Sequence, residues 1–310
     1  MIIKIATKNR EEWKALRSGY IGGSDAASVI GLNPYKSAYS LWAEKTGKLP
    51  EFEGNLATDV GTYLEDFIAK RFEQETGKKV RRETRSFLND KYPWAIANCD
   101  RMVVGEDAGL ECKFTDSLNL KKYKGGEYPE RFYAQCVHYL AVTGKKRWYL
   151  AVLIGNKEFK WFCIERDEEE IAALMGEEEK MSVCIKTNTP PAVDGMKSTD
   201  EAISTIYPDS NGDIVSLMAY ETDLMQYLAL KDQIDALEEQ KKQMANRVKA
   251  FMQDAGKGES NRYRVSWNTS VKKTFDTKAF EADHKGIDLN KYYKTLSYRT
   301  FKVTERGEKQ

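Results

Sequence analysis

Asn98-Cys99-Asp100-Arg101-Met102-Val103-Val104-Gly105-Glu106-Asp107-Ala108-Gly109-Leu110-Glu111-Cys112-Lys113-Phe114 reads as two strands joined by a short loop. Gly105 and Gly109 bracket acidic turn residues between two apolar runs. On the second strand Leu110, Cys112 and Phe114 point one way, and Glu111 and Lys113 the other. Asp100, expected on the first strand, is within reach of that second face. Two carboxylates and an ammonium on one sheet face cost several kcal/mol if buried without partners. A hard divalent cation makes such a cluster favourable. Glu-x-Lys alone says little, because it recurs at Glu12/Lys14, Glu158/Lys160, Glu178/Lys180 and Glu239/Lys241. The upstream Asp separates the Glu111 copy from that of Glu158, since residues 150–155 carry no charge.

Outward from this hairpin, the pattern alternates helices and strands. Short helices are expected over 9–16 and 38–46, and a longer one over 56–76 with Val60, Leu64, Phe67 and Phe72 as its apolar stripe and Gly77 as its stop. Glu65 lies at the edge of that stripe. Strands follow near 79–88, 94–104 and 109–115, then a Lys- and Gly-rich loop and a helix from Pro129 to Val142 ended by Gly144. A second hairpin over 147–153 and 157–164 and a helix over 167–186 close the unit. Helices, a mostly antiparallel sheet, then helix, strands and helix make an α/β sandwich, not a doubly wound pattern. Arg17 and the Gly22-Gly23-Ser24 turn before a small-residue helix allow two readings, an ordinary Ser N-cap or an anion pocket.

The domain divisions expected are 1–188, a linker over 189–212 marked by Pro190, Pro191 and Pro208, a long helix over 213–255, and a small extension over 256–310. In the long helix Tyr227, Leu230, Ile234, Leu237, Lys241, Met244, Val248 and Phe251 recur at alternating spacings of three and four, a heptad seam. Residues 257–303 hold 11 Lys/Arg against 5 Asp/Glu and several tyrosines. That composition suits nucleic acid, or equally a small β-rich subdomain.

The bulk composition narrows the classes. With 310 residues, 41% hydrophobic and 31% charged, the chain is that of a globular protein with no apolar run long enough for a membrane. Its N-terminus lacks a signal-like apolar core, so a cytoplasmic location is expected. Five cysteines with no C-x-x-C pair argue against structural zinc, iron–sulfur clusters and disulfides. Net charge is +1. Lys78–Arg85, Lys121–Lys124 and Lys145–Arg147 are local basic clusters that could meet phosphate or be plain solvated faces.

Asp100, Glu111 and Lys113 resemble the core of the PD-(D/E)xK nucleases, and residues 11–165 resemble the YqaJ viral recombinase family, relatives of bacteriophage lambda exonuclease. The resemblance rests on Arg17 with Gly19, Ile21, Gly22, Gly23 and Ser24, on Gly61 with Glu65, on Asp100, on Glu111-Cys112-Lys113, on Ala134-Gln135 and on Trp148-Tyr149. Arg101 departs from it, standing where many relatives have Gly. The resemblance implies a restriction-endonuclease-like α+β fold, a mixed central sheet flanked by helices, with a C-terminal long helix and a small β-containing extension. It implies Mg²⁺ or Mn²⁺ held by Asp100, Glu111 and the Cys112 carbonyl, and Glu65 holding a second ion or a metal-bound water. Lys113 would orient or deprotonate the attacking water, Gln135 would orient Lys113 or the nucleophile, and Arg17 and Ser24 would grip a 5′ phosphate. His138 reads as structural.

The expected activity is 5′→3′ digestion of linear double-stranded DNA, leaving 3′ overhangs for a single-strand annealing partner. A trimeric ring in a bacterial host cytosol, of phage or prophage origin, is implied as well. The alternatives are a structure-selective or single-strand endonuclease of the same superfamily, and a non-catalytic DNA-binding or partner scaffold.

Overall fold

Capping residues and glycines punctuate the first half of the chain where the periodicity predicts. After strand β1 (Ile2–Ile5), helix α1 (Arg10–Ser18) starts at Asn9, whose side chain accepts from the Glu12 amide. Strand β2 (Ile21–Gly22) runs straight into helix α2 (Gly23–Val29), and Ser37 caps helix α3 (Ala38–Lys45). Helix α4 (Leu56–Thr76) opens on a reciprocal pair of bonds between Asn55 and Thr58 and stops at Gly77 with φ 72°. Five strands follow: β3 (Val80–Arg82), β4 (Ser86–Asn89), β5 (Tyr92–Ala97), β6 (Arg101–Val103) and β7 (Ala108–Thr115). Residues Ser117–Gly126 form 3-10 turns where a plain loop was expected. Helix α5 (Glu130–Thr143) ends at Gly144, strands β8 (Arg147–Ile154) and β9 (Glu158–Glu165) make the second hairpin, and helix α6 (Glu168–Lys186) and helix α7 (Lys197–Ile206) complete this part.

In this computed structural model, which describes residues 1–305 except Glu51 and Lys285, the strands form two sheets in the first of two units, Met1–Tyr207 and Pro208–Gln310. One sheet has the order β3-β6-β7-β8-β9 and the other β1-β4-β5-β2. The stretches read as single strands over 79–88 and 94–104 are each split between the two sheets. The chain crosses at 83–85 and again at 98–100, and polar side chains hold both bends. Glu83 is ringed by Lys4, Arg81 and Arg85, and Asn98 accepts from the Trp13 indole (3.0 Å) and the Ser86 hydroxyl (2.6 Å). Asp100 therefore sits in a bend just before β6, not on a strand. The sheet is also mixed: β7 and β8 pair in parallel over their whole length, from Ala108↔Arg147 to Thr115↔Ile154. The α5 crossover between them returns the chain to the same edge, as parallel neighbours require.

Helices cover both faces of the larger sheet. Ile68 and Phe72 of α4 pack on Leu110, Cys112, Tyr149 and Ala151. Val137 and Leu140 of α5 belong to the cluster that holds Trp148, Leu150 and Val152 on the other face. Phe72 and Trp148 are fully buried, and truncating either to Ala costs about 3–5 kcal/mol. Gly109 is required at its place, since a Cβ there would come within 2.3 Å of the Trp148 ring.

The expected linker 189–212 carries α7, which is bound to the first unit. Thr199 Oγ1 donates to Ser37 Oγ (2.7 Å) and Ser40 Oγ to the Ser198 carbonyl (2.7 Å). In the second unit, helix α8 (Glu221–Met252) begins at Glu221, after a 3-10 turn at Met218–Tyr220, and not at Asp213. Strands β10 (Lys257–Glu259) and β11 (Arg264–Ser266) form a short antiparallel hairpin, and helix α9 (Thr277–Asp283) is capped by Asp276.

Candidate active site

Strand β7 puts Glu111 and Lys113 on the face covered by α5, beside Leu150 and Val152 of the neighbouring strand. Glu111 is buried. Its Oε1 accepts from Lys113 Nζ (2.6 Å) and from Gln135 Nε2 (2.7 Å). Its Oε2 is buried with no hydrogen-bond partner. Asp100 reaches the same strand from its bend, its Oδ2 accepting from the Cys112 amide at 2.8 Å. Lys113 Nζ also lies 5.4 Å from the centroid of the Phe132 ring. Gln135 is not the helix-surface amide that its position alone would allow. It is buried, and it also donates to Tyr139 Oη at 2.7 Å. Tyr139 was missed in the sequence, although it lies one turn beyond Gln135 on the same helical face.

A cleft of about 480 Å³ gathers these groups. Glu65, Asp100, Glu111, Lys113, Gln135 and Tyr139 line it, and so do Arg17 and Ser24. Arg17 Nη2 donates to Ser24 Oγ (2.7 Å), and its guanidinium rests on the Trp13 ring (5.3 Å). Helix α2 approaches α5 so closely that a Cβ on Gly23 would meet the Tyr139 ring at 2.5 Å, which explains the second glycine of the turn. The buried carboxylate of Asp25 accepts from the Gly22 amide (3.1 Å) and pairs with Lys45 (3.2 Å), tying α2 to α3. Burial works against the charged form of Asp25, but Lys45 and Arg17 outweigh it and hold the carboxyl below its ordinary range.

The three carboxylates of the cleft titrate in the opposite sense. Burial, reinforced by the Asp100 charge, pushes Glu111 up to about 8. Burial and Asp100 likewise raise Glu65 to about 7. Asp100 is raised by burial in spite of Lys113 and the Cys112 amide. Burial alone would lower Lys113, yet Glu111 and Asp100 carry it above the ordinary lysine range, so it is an ammonium at neutral pH. The site thus gathers more carboxyl groups than Lys113 can balance in their charged form, and without a cation it takes up protons instead.

A hard divalent cation fits this donor set, and the unpartnered Oε2 of Glu111 is the oxygen it would satisfy. Among the described residues no three His, Cys, Asp or Glu side chains form a ready cage for an ion. Glu178 also leaves a buried oxygen unpartnered, but it lies outside the cleft. There its other oxygen meets His138 Nδ1 (2.8 Å), while His138 Nε2 donates to the Ile96 carbonyl (3.0 Å). His138 is fully buried and structural, as its sequence context implied. Arg101 is buried too, its guanidinium donating to the Asp100 carbonyl (2.7 Å) and pairing with Asp66 of α4. In the place of a glycine it thus braces the bend that carries Asp100.

Residues 12–146 match the family model of the YqaJ-like viral recombinase domain. Over 98% of its length the chain is 37% identical to the uncharacterized protein YqaJ of Bacillus subtilis, of which it covers 97%. The chain belongs to the YqaJ-like viral recombinase family. Every candidate site residue, from Arg17 to Gln135, falls inside the matched segment. A shorter stretch of 55 residues, 18% of this chain, is 46% identical to protein D345L of African swine fever virus and covers 16% of it. Among solved structures, the alkaline exonuclease LHK-Exo of Laribacter hongkongensis, in its complex with dAMP, superposes with a TM-score of 0.50. It is 23% identical and covers 58% of this chain and 94% of its own. This chain thus shares the fold of that exonuclease: a mixed sheet flanked by helices.

Proposed function

We propose that this protein is a metal-dependent deoxyribonuclease that digests linear duplex DNA from its ends, 5′→3′, and leaves 3′ single strands for an annealing partner. The observation that carries this reading is one cleft holding both a carboxylate–lysine–glutamine cluster and a separate cationic contact, Arg17 on Ser24. Asp100, Glu111 and the Cys112 carbonyl would hold Mg²⁺ or Mn²⁺, with Glu65 at a second ion or a bound water. Such an ion lowers the pKa of water and offsets charge on a scissile phosphate. Lys113, held as an ammonium, donates to the attacking water or to a phosphate oxygen and fixes its position. Gln135 locks Glu111 Oε1, leaving Oε2 as the open donor. The Arg17 guanidinium, already aligned by Trp13 and Ser24, is a fork suited to a terminal 5′ phosphate.

A closed ring of subunits around the duplex, as the family resemblance implies, would keep the enzyme on its end during digestion, in the cytoplasm where phage-type recombination takes place. Among the described residues no helix is long and apolar enough to cross a membrane. The test is digestion of linear and covalently closed circular duplex in Mg²⁺, the linear form with a 5′ phosphate or a 5′ hydroxyl. Loss of the linear phosphorylated form with the circle intact is expected, and Arg17→Ala should erase the phosphate preference of ~10-fold or more. A nicked or linearised circle would point to an endonuclease instead.

A further inference from the structure

The second unit lacks a core of its own. Among its described residues only Met252 is buried. Yet it contains a 32-residue helix, α8, about 48 Å long. Helices of this kind draw most of their stability from packing an apolar face, not from propensity. Within the second unit the apolar face of α8 lies open: Leu230 and Ile234 are each 57% exposed and Leu237 62%. Tyr227 alone of the seam has a ring partner, Phe301 at 5.6 Å.

We infer that α8 pairs with α8 of a second copy of this chain as a parallel two-stranded coiled coil. The seam itself specifies that occupant. Its a positions are Tyr227, Ile234, Lys241 and Val248, and its d positions are Leu230, Leu237, Met244 and Phe251. Ile and Val at a with Leu at d favour two parallel strands, and one polar a residue fixes register at some expense of stability. Lys241 is that residue, and its charge is met by Glu238 of its own helix. On the flanks of a parallel pair Gln233 faces Glu238 of the other copy and Gln240 faces Ala245, so the one like-charge meeting is Lys241 with its own copy, the polar a contact that fixes register. An antiparallel pair sets Glu238 against itself. DNA is an unsuitable cover for this face, which has one cation among its eight positions. A two-stranded coil cannot close a three-fold ring, so it would join subunits of two separate assemblies and double the mass of whatever the first unit forms alone.

The test uses the full chain. Sedimentation equilibrium of the wild type and of Ile234→Asp/Leu237→Asp should show the mass fall by half, with circular dichroism of the first unit's elements unchanged. An unchanged mass, or a fall to one third, overturns the inference. Disulfide trapping does not depend on that variant's folding. In a Cys163→Ser/Cys184→Ser background, which removes the two cysteines that are not buried, Leu237→Cys should give a covalent dimer on oxidation. Glu239→Cys, on the outer face, should not. Failure of Leu237→Cys to link faster than Glu239→Cys contradicts a parallel seam.

Discussion

The same tripeptide pattern, Glu-x-Lys, occurs on two strands of one sheet with opposite consequences. On the edge strand β9, Glu158 and Lys160 pair at 3.2 Å with side chains 41% and 31% exposed, and Lys160 also donates to the Tyr123 carbonyl. Such a pair is worth about 0–1 kcal/mol and does no chemistry. On the inner strand β7, Glu111 and Lys113 pair at 2.6 Å, with the Glu111 side chain 3% exposed. Here Asp100 adds a second carboxylate, Gln135 fixes one oxygen, and the other is left without a partner. Burial and convergence, not the motif, turn an ion pair into a candidate metal site.

The largest effect should come from removing the lysine of each pair. Lys113→Ala is expected to lower the digestion rate by ~10²–10⁴-fold, measured by nucleotide release from linear duplex. Lys160→Ala should stay within about twofold of wild type. Next, Gln135→Leu leaves Glu111 Oε1 with Lys113 alone, and the Mg²⁺ concentration for half-maximal activity should rise by ~10–100-fold.

The smallest effect sharpens the contrast through stability. Glu111 binds its proton more tightly folded, at about 8, than unfolded, near 4.5. The metal-free fold therefore loses stability as pH rises from about 4.5 through about 8. Glu111→Gln abolishes that titration, so its Tm without metal should exceed that of wild type by roughly 5 °C at pH 9 and converge with it near pH 4.5. Glu158→Gln should shift stability by no more than about 0.5 kcal/mol at either pH.

Much of the candidate site can be read from sequence because its residues sit on elements with strong punctuation. Gly77 and Gly144 stop α4 and α5 where expected, and β8 and β9 form the hairpin expected over 147–164. Two features escaped for physical reasons. The crossings at 83–85 and 98–100 contain neither Gly nor Pro and are held by long-range partners, Lys4 for Glu83 and Trp13 for Asn98. They therefore read as continuous strands, and Asp100 was placed on one. Helix α7 lies in a Pro- and Asp-rich stretch whose order depends on tertiary bonds to Ser37 and Ser40. Likewise, the burial of Arg101 and the role of Tyr139 follow from packing against other elements, which no local pattern encodes.

The central claim, that the Asp100–Glu111–Lys113 cleft cuts DNA, is tested most directly with linear duplex labelled at its 5′ ends. Wild-type protein with Mg²⁺ should release labelled mononucleotides, and Asp100→Ala, with its fold verified by circular dichroism, should release none above the metal-free control. Equal release by the two proteins would contradict the account.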